Sequence, residues 1–121
     1  MENSENTSKA DSAFERAGAQ AQMRKGVLEL CILSILSQGD AYPTEIIDKL
    51  KDTKLVVVEG TLYPLLTRLK NSGLLGYRWE ESTSGPPRKY YKLTAKGKDQ
   101  LRETLEYWQK ISGTVKNLGQ K

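Results

Sequence analysis

The stretch EGTLYPLLTRLKNSGLLGYRWEESTSGPPRKYYKL (Glu59–Leu93) changes its hydrophobic period once, and that change decides the fold. Leu62, Leu65, Leu66 and Leu69 are spaced as one face of a helix, which predicts a helix over about Glu59–Asn71, closed at Gly73. Pro64 is tolerated only near a first turn, so that helix cannot begin much before Gly60. From Leu74 to Glu81 the pattern switches to alternation, with Leu75, Tyr77 and Trp79 on one face, and Arg88–Leu93 repeats it with Tyr91 and Leu93. STSGPP between the two runs is rich in turn formers. A β-hairpin follows the helix directly.

Working outward, PTEIIDKLK (43–51) predicts a short helix with Pro43 in its first turn and Ile46, Ile47 and Leu50 buried. Leu55–Val58 is β-branched and short, hence extended. MRKGVLELCILSIL (Met23–Leu36) is apolar over much of its circumference, with Val27, Leu30, Cys31, Ser34 and Ile35 in one stripe, and Gly39-Asp40 ends it. Residues 1–19 have only Met1 and Phe14 as large apolar side chains and read as a flexible tail that turns helical near residue 15. Downstream, Thr94 is an N-cap for a last helix to about Leu118, roughly 36 Å long.

The order is therefore α-α-α-β-β-α: mainly helical with one small hairpin. The second and third helices form a helix-turn-helix and the hairpin forms a wing, so the chain reads as a winged helix-turn-helix with a long C-terminal dimerisation helix. Its segments are a tail (1–19), the winged domain (20–94), the dimerisation helix (95–118) and a short end (119–121).

Charge points the same way. The chain carries +4 overall, but residues 1–19 carry −2, so the remaining 102 carry +6. Between Ser82 and Lys98 lie Arg88, Lys89, Lys92, Lys96 and Lys98 and no acid, a surface suited to phosphate. On the third helix the outward residues are Glu59, Gly60, Thr61, Tyr63, Pro64, Thr67 and Arg68. Hydroxyls there reach phosphates or base edges, the Thr61 methyl suits a thymine methyl, and Gly60 permits close approach. Tyr63 has two readings, as a DNA contact or as a tyrosine packed against the wing. The expected contact set is these seven residues with Arg88 and Lys89, and the expected partner is double-stranded DNA. The alternative is a winged helix used as a protein-interaction module, its wing meeting an acidic protein.

Other chemistries lack their parts. There is no histidine and only one cysteine, Cys31, which leaves no His-based nucleophile pair, no disulfide within the chain and no cysteine-built zinc site. No enzyme, metal or cofactor is expected. No apolar run approaches a membrane span, and the N-terminus has no signal-peptide pattern, so the expected location is the cytoplasm.

The last helix argues for a homodimer. Leu101, Trp108 and Val115 repeat every seven residues, as do Thr104, Ile111 and Leu118, with Leu105 adjoining. Either this face folds back on the chain's own first helix or it meets a second copy. The expected interface is Val27, Cys31, Leu101, Leu105, Trp108, Ile111, Val115 and Leu118. Two-fold symmetry then implies a pseudo-palindromic operator.

Two stretches, GTLYPLLTRLKNSGLL (Gly60–Leu75) and SGPPRKYYKLTAKGKDQL (Ser84–Leu101), strongly resemble the PadR family of bacterial transcriptional regulators. The family's Leu-Tyr-Pro helix, Gly-Leu step into the wing and Arg-Lys-Tyr-Tyr-x-Leu-Thr-x-x-Gly return all occur in order. The resemblance covers about residues 20–118, and the single C-terminal helix looks like the smaller subfamily. It implies a homodimeric repressor released by a small molecule or another signal. In multidrug-sensing members flat aromatic compounds stack on a tryptophan at the dimer centre, which here implies Trp108, with Met23 and Leu30 lining the site. Trp108 read from its heptad position alone is interface core. Two positions depart from the family pattern: Pro43 stands where Gly often follows Tyr42, and Ser112 stands where some drug-binding relatives keep an acid.

Overall fold

A computed structural model of the chain describes the backbone of residues 2–120 and the side chains of residues 9–120. Met1 and Lys121, at the ends of the two expected tails, lie outside the described residues. The elements are α1 (Glu2–Ser37), α2 (Pro43–Leu50), α3 (Glu59–Asn71), β1 (Leu75–Ser82), β2 (Gly85–Leu93) and α4 (Ala95–Leu118). This is the winged helix-turn-helix with a long last helix that the sequence predicts.

The end of α3 sets the start of the wing. Gly73 takes φ +81, the left-handed conformation that costs glycine least. Its N–H bonds the Lys70 carbonyl at 2.9 Å and the Leu74 N–H bonds the Leu69 carbonyl at 3.0 Å. These two bonds make a Schellman motif, with buried Leu69 and Leu74 as its hydrophobic contact. The chain leaves it directly into β1.

β1 and β2 pair antiparallel, with Leu75 opposite Leu93, Tyr77 opposite Tyr91 and Trp79 opposite Lys89. The register shifts near the tip, between Glu80 and Ser82. A third strand position, invisible to periodicity because it is one residue long, flanks β2. Ala41 exchanges both backbone hydrogen bonds with Tyr91, at 3.1 and 2.8 Å. That bridge holds the start of α2 against the wing, where Glu45 accepts the Tyr42 N–H at 3.1 Å.

The core lies where the three helices and the hairpin meet. Its fully buried members are Ile32 and Leu33 of α1, Ile46 of α2, and Leu62, Leu66 and Leu69 of α3. Each contributes about 1.5–3 kcal/mol of burial. Leu74, Leu75, Tyr91 and Leu93 of the hairpin complete it.

α4 is anchored by its first turn. Thr94 caps it, accepting the Gly97 N–H at 3.0 Å, while its hydroxyl lies 2.6 Å from the Gly73 carbonyl and donates into the α3–β1 turn. Gly97 has no room for a side chain: a Cβ there would run into the Leu74 carbonyl and crowd Leu93.

Three expectations change. The segment read as a flexible tail is helical from Glu2, continuous with the apolar part of α1. It contains no proline, and Glu, Ala, Lys, Arg and Gln sustain a helix that packs on little; Phe14 is 81% exposed. Pro64 sits in the second turn of α3 rather than the first. It has no N–H for the Gly60 carbonyl, but that end of the helix is exposed to solvent. Leu101, expected at a subunit interface, belongs to the chain's own core, because it lies one turn past Gly97 where α4 meets the rest of the fold.

Candidate nucleic-acid interface

The buried face of α3 carries Leu62, Leu66 and Leu69, so the opposite face is fixed by helical geometry. At about 100° per residue, that face is centred on Gly60, Pro64 and Asn71. Tyr63 and Thr67 flank it towards the wing, and Thr61 and Arg68 flank it towards α1. All seven are exposed.

On the wing side a cleft of about 460 Å³ opens between α3, the start of α2 and β2. Tyr63 and Thr67 form one wall, Tyr42 and Thr44 the end, and Trp79, Arg88 and Lys89 the other wall. Four residues that the sequence assigned to one contact set are thus brought together: Tyr63, Thr67, Arg88 and Lys89. Tyr63 lines this cleft half-exposed, facing the wing across it without joining the core.

The cations of the cleft rest on aromatic rings. The Arg88 guanidinium stands 4.7 Å from the Tyr42 ring centroid, and the Lys89 ammonium 4.5 Å from Tyr77 and 5.3 Å from Trp79. Tyr42 in turn packs edge-on to Tyr90 at 5.0 Å. Such contacts contribute about 0.5–1 kcal/mol each at exposed sites. They hold the cations at the cleft wall, where Arg88 is exposed and Lys89 half-buried. Neither Arg88 nor Lys89 has a carboxylate partner among the described residues.

Other charged and hydroxyl-bearing residues near these faces are placed differently. Arg78, one strand over, is taken up by Asp40 and Glu80. Lys96, one of the run of wing cations, stays exposed but is engaged at the end of α3, donating to the Ser72 carbonyl at 2.8 Å. Arg68 pairs with Glu29 of α1 at 3.0 Å, so it faces away from the wing cleft. Glu59 occupies the first turn of α3, where a carboxylate favours the positive helix end. The Thr67 hydroxyl donates to the Tyr63 carbonyl at 3.1 Å, which leaves it free only to accept. Tyr42 and Thr44 are cleft residues that sequence reasoning missed; the neighbouring Ala41–Tyr91 bridge and the packing of Tyr42 on Tyr90 fix that end of the cleft.

Far from this face, α4 presents Leu105, Trp108, Ile111, Val115 and Leu118 to solvent, an apolar stripe along three turns. Met23 of α1 is also exposed, Val27 and Cys31 are half-buried, and Leu30 is buried in the core. Burial holds the Cys31 thiol above its ordinary pKa of 9.0. Met23, Leu30 and Trp108 line neither of the two clefts that flank α3. Among the described residues no helix is long and apolar enough to cross a membrane.

Comparison with known proteins agrees with this geometry. Residues 32–103 match the transcriptional regulator PadR-like family. A PadR-like transcription factor from Bacteroides fragilis is 56% identical, covering 84% of this chain and 99% of that one with a TM-score of 0.73. A PadR-like regulator from Bacillus cereus is 46% identical over 83% of this chain and 98% of that one, also at 0.73. Bacillus subtilis PadR in complex with operator DNA is 26% identical, covering 65% of this chain and 45% of that one at 0.59. The chain belongs to the PadR-like family of transcriptional regulators.

Proposed function

We propose that this chain is a cytoplasmic, homodimeric transcriptional repressor that binds a pseudo-palindromic operator through α3 and the wing. The observation that carries the DNA contact is the cleft in which Tyr63 and Thr67 of α3 face Arg88 and Lys89, two cations held on aromatic rings with no ion-pair partner among the described residues. α3 enters the major groove with Gly60 and Pro64 foremost, and the wing cations take the phosphates alongside. Thr67, with its proton already engaged, accepts from a base amine; Glu59 is suited to a cytosine amine and contributes nothing to phosphate. That Bacillus subtilis PadR, a relative, was solved in complex with operator DNA supports DNA as the partner.

The partner of the α4 stripe is a second copy, whose own α1 and α4 cover it. Trp108 and Met23 then lie at the dimer centre with Leu30 behind them, and a planar aromatic effector stacks there. Such an effector releases DNA only to the extent that it binds the two arrangements of the dimer unequally.

The test is fluorescence anisotropy on promoter duplexes with R88A/K89A. The double variant weakens binding for all sequences and lowers the salt slope by about two. Unchanged affinity and slope contradict the assignment. So does the loss of binding to an acidic protein partner with DNA binding already absent in the parent.

A further inference from the structure

The second cleft, about 330 Å³, lies on the other flank of α3. It is lined by Arg24, Lys25 and Leu28 of α1, Val57 and Val58 of the extended segment, and Thr61 of α3. Leu28 and Val57 are buried and form its floor, while Arg24, Lys25 and Thr61 are exposed at its edge. Resting on the DNA reading above, we infer that this groove is a second phosphate grip, and that α3 is therefore held in the duplex from both sides.

Three observations meet here. Thr61 and Tyr63 are two residues apart, hence about 200° apart around α3. The Arg24–Lys25 groove and the Arg88–Lys89 cleft consequently flank opposite sides of the same outward face. An α-helix is about 10–12 Å across and the major groove about 12 Å wide, so a helix seated there fills it, and whatever flanks the helix meets the two phosphate rims. The second observation is charge. Arg24 and Lys25 have no carboxylate within ion-pair distance among the described residues; the nearby Glu29 is already paired with Arg68. The third is the Thr61 hydroxyl, which makes no hydrogen bond within the described chain, unlike that of Thr67. Two cations and a free hydroxyl at the mouth of one groove match a phosphodiester oxygen.

The occupant is thus the DNA backbone on the strand opposite the one the wing grips. Arg24 and Lys25 add affinity without sequence preference. The apolar floor carries the aliphatic stems of the two side chains, which places their charged ends at the rim.

The experiment uses the full chain and a fluorescein-labelled duplex of mixed sequence, titrated between about 50 and 200 mM salt. R24Q/K25Q is compared with K9Q/R16Q, which removes the same charge further along α1. The expected result is a salt slope lower by about two for R24Q/K25Q and a several-fold weaker affinity at low salt, with K9Q/R16Q much closer to the parent. Circular dichroism melts of both variants stay near the parent, since all four residues are exposed. Equal losses in the two variants, or none in R24Q/K25Q while the parent binds, overturn the second grip and leave the wing assignment standing. A parent that shows no salt-dependent binding overturns both.

Discussion

Arg68 of α3 donates from Nη2 to Oε2 of Glu29 on α1 at 3.0 Å. The helix assigned to the major groove is thereby tied to the helix that carries Met23 and Leu30. Both side chains are partly exposed, so the pair stabilises the fold by less than about 1 kcal/mol. Its consequence is electrostatic: the acid neutralises a cation on the flank of α3.

Removing the acid therefore frees Arg68. E29Q is expected to leave the melting temperature almost unchanged and to strengthen DNA binding, with the salt slope rising by up to about one. Anisotropy at several salt concentrations measures this. A weaker complex would show that Glu29 positions Arg68 rather than masking it.

Gly97 is expected to resist substitution more than any other glycine of α4. G97A drives a methyl group into the Leu74 carbonyl, which is backbone and cannot swing aside. The cost is on the order of 2–3 kcal/mol, as for other overpacked sites. G113A, in the same helix with open space around it, gains helix propensity instead, up to about 1 kcal/mol. Urea denaturation of the two variants gives the comparison directly.

Thr94 holds the same joint by hydrogen bonds, accepting from Gly97 and reaching the Gly73 carbonyl. T94A is expected to destabilise by about 1–2 kcal/mol and T94S to recover most of that, as for other N-caps. Equal losses in both variants would point to the methyl group rather than the hydroxyl.

These joints mark how far the sequence could be read. The leucine spacing and the switch to alternation located α3 and the hairpin, and Thr94 located α4, because each signal is local and repeats. Ala41 against Tyr91 is a single pair between distant segments and has no period, so the sequence is silent on it. The same holds for Arg68 with Glu29 and for Lys96 with Ser72: a cation's partner is decided by packing, not by its neighbours in the chain. That is why Arg88 and Lys89 stayed at the cleft while Arg68 and Lys96 left it. The helical start of α1 was missed for another reason. Its residues favour a helix but bury almost nothing, and apolar periodicity is the signal they lack.

Alkaline pH is expected to weaken the fold while neutral pH leaves it alone. The chain has no histidine, so no ordinary side chain titrates between about pH 5 and 8. Burial holds the Tyr91 phenol above its ordinary 10.0 and the Cys31 thiol above 9.0. Both are neutral in the folded chain and ionise more readily when it unfolds. Stability is thus full below the unfolded values and falls as pH rises through the raised folded ones. Melting temperatures taken across pH 9.0 to 10.0 and above follow this decline, and Y91F makes it shallower.

The proposed effector site can be tested separately from the wing because the chain has two tryptophans, Trp79 on β1 and Trp108 on α4. W79F leaves Trp108 as the one reporter. Planar aromatic dyes at micromolar concentration are expected to quench it and to weaken DNA binding in parallel. In W108A the dyes are expected no longer to weaken DNA binding while the dimer persists; a monomeric W108A assigns Trp108 to the interface core alone.

The central claim is that two copies, joined through their last helices, set two α3 helices on one duplex. Sedimentation velocity of the purified protein, alone and with a duplex recovered from DNA that co-purifies with it, measures this most directly. The account predicts a dimer in the free protein and two protomers on each duplex. A monomer that binds DNA singly, or a dimer that binds none, contradicts it.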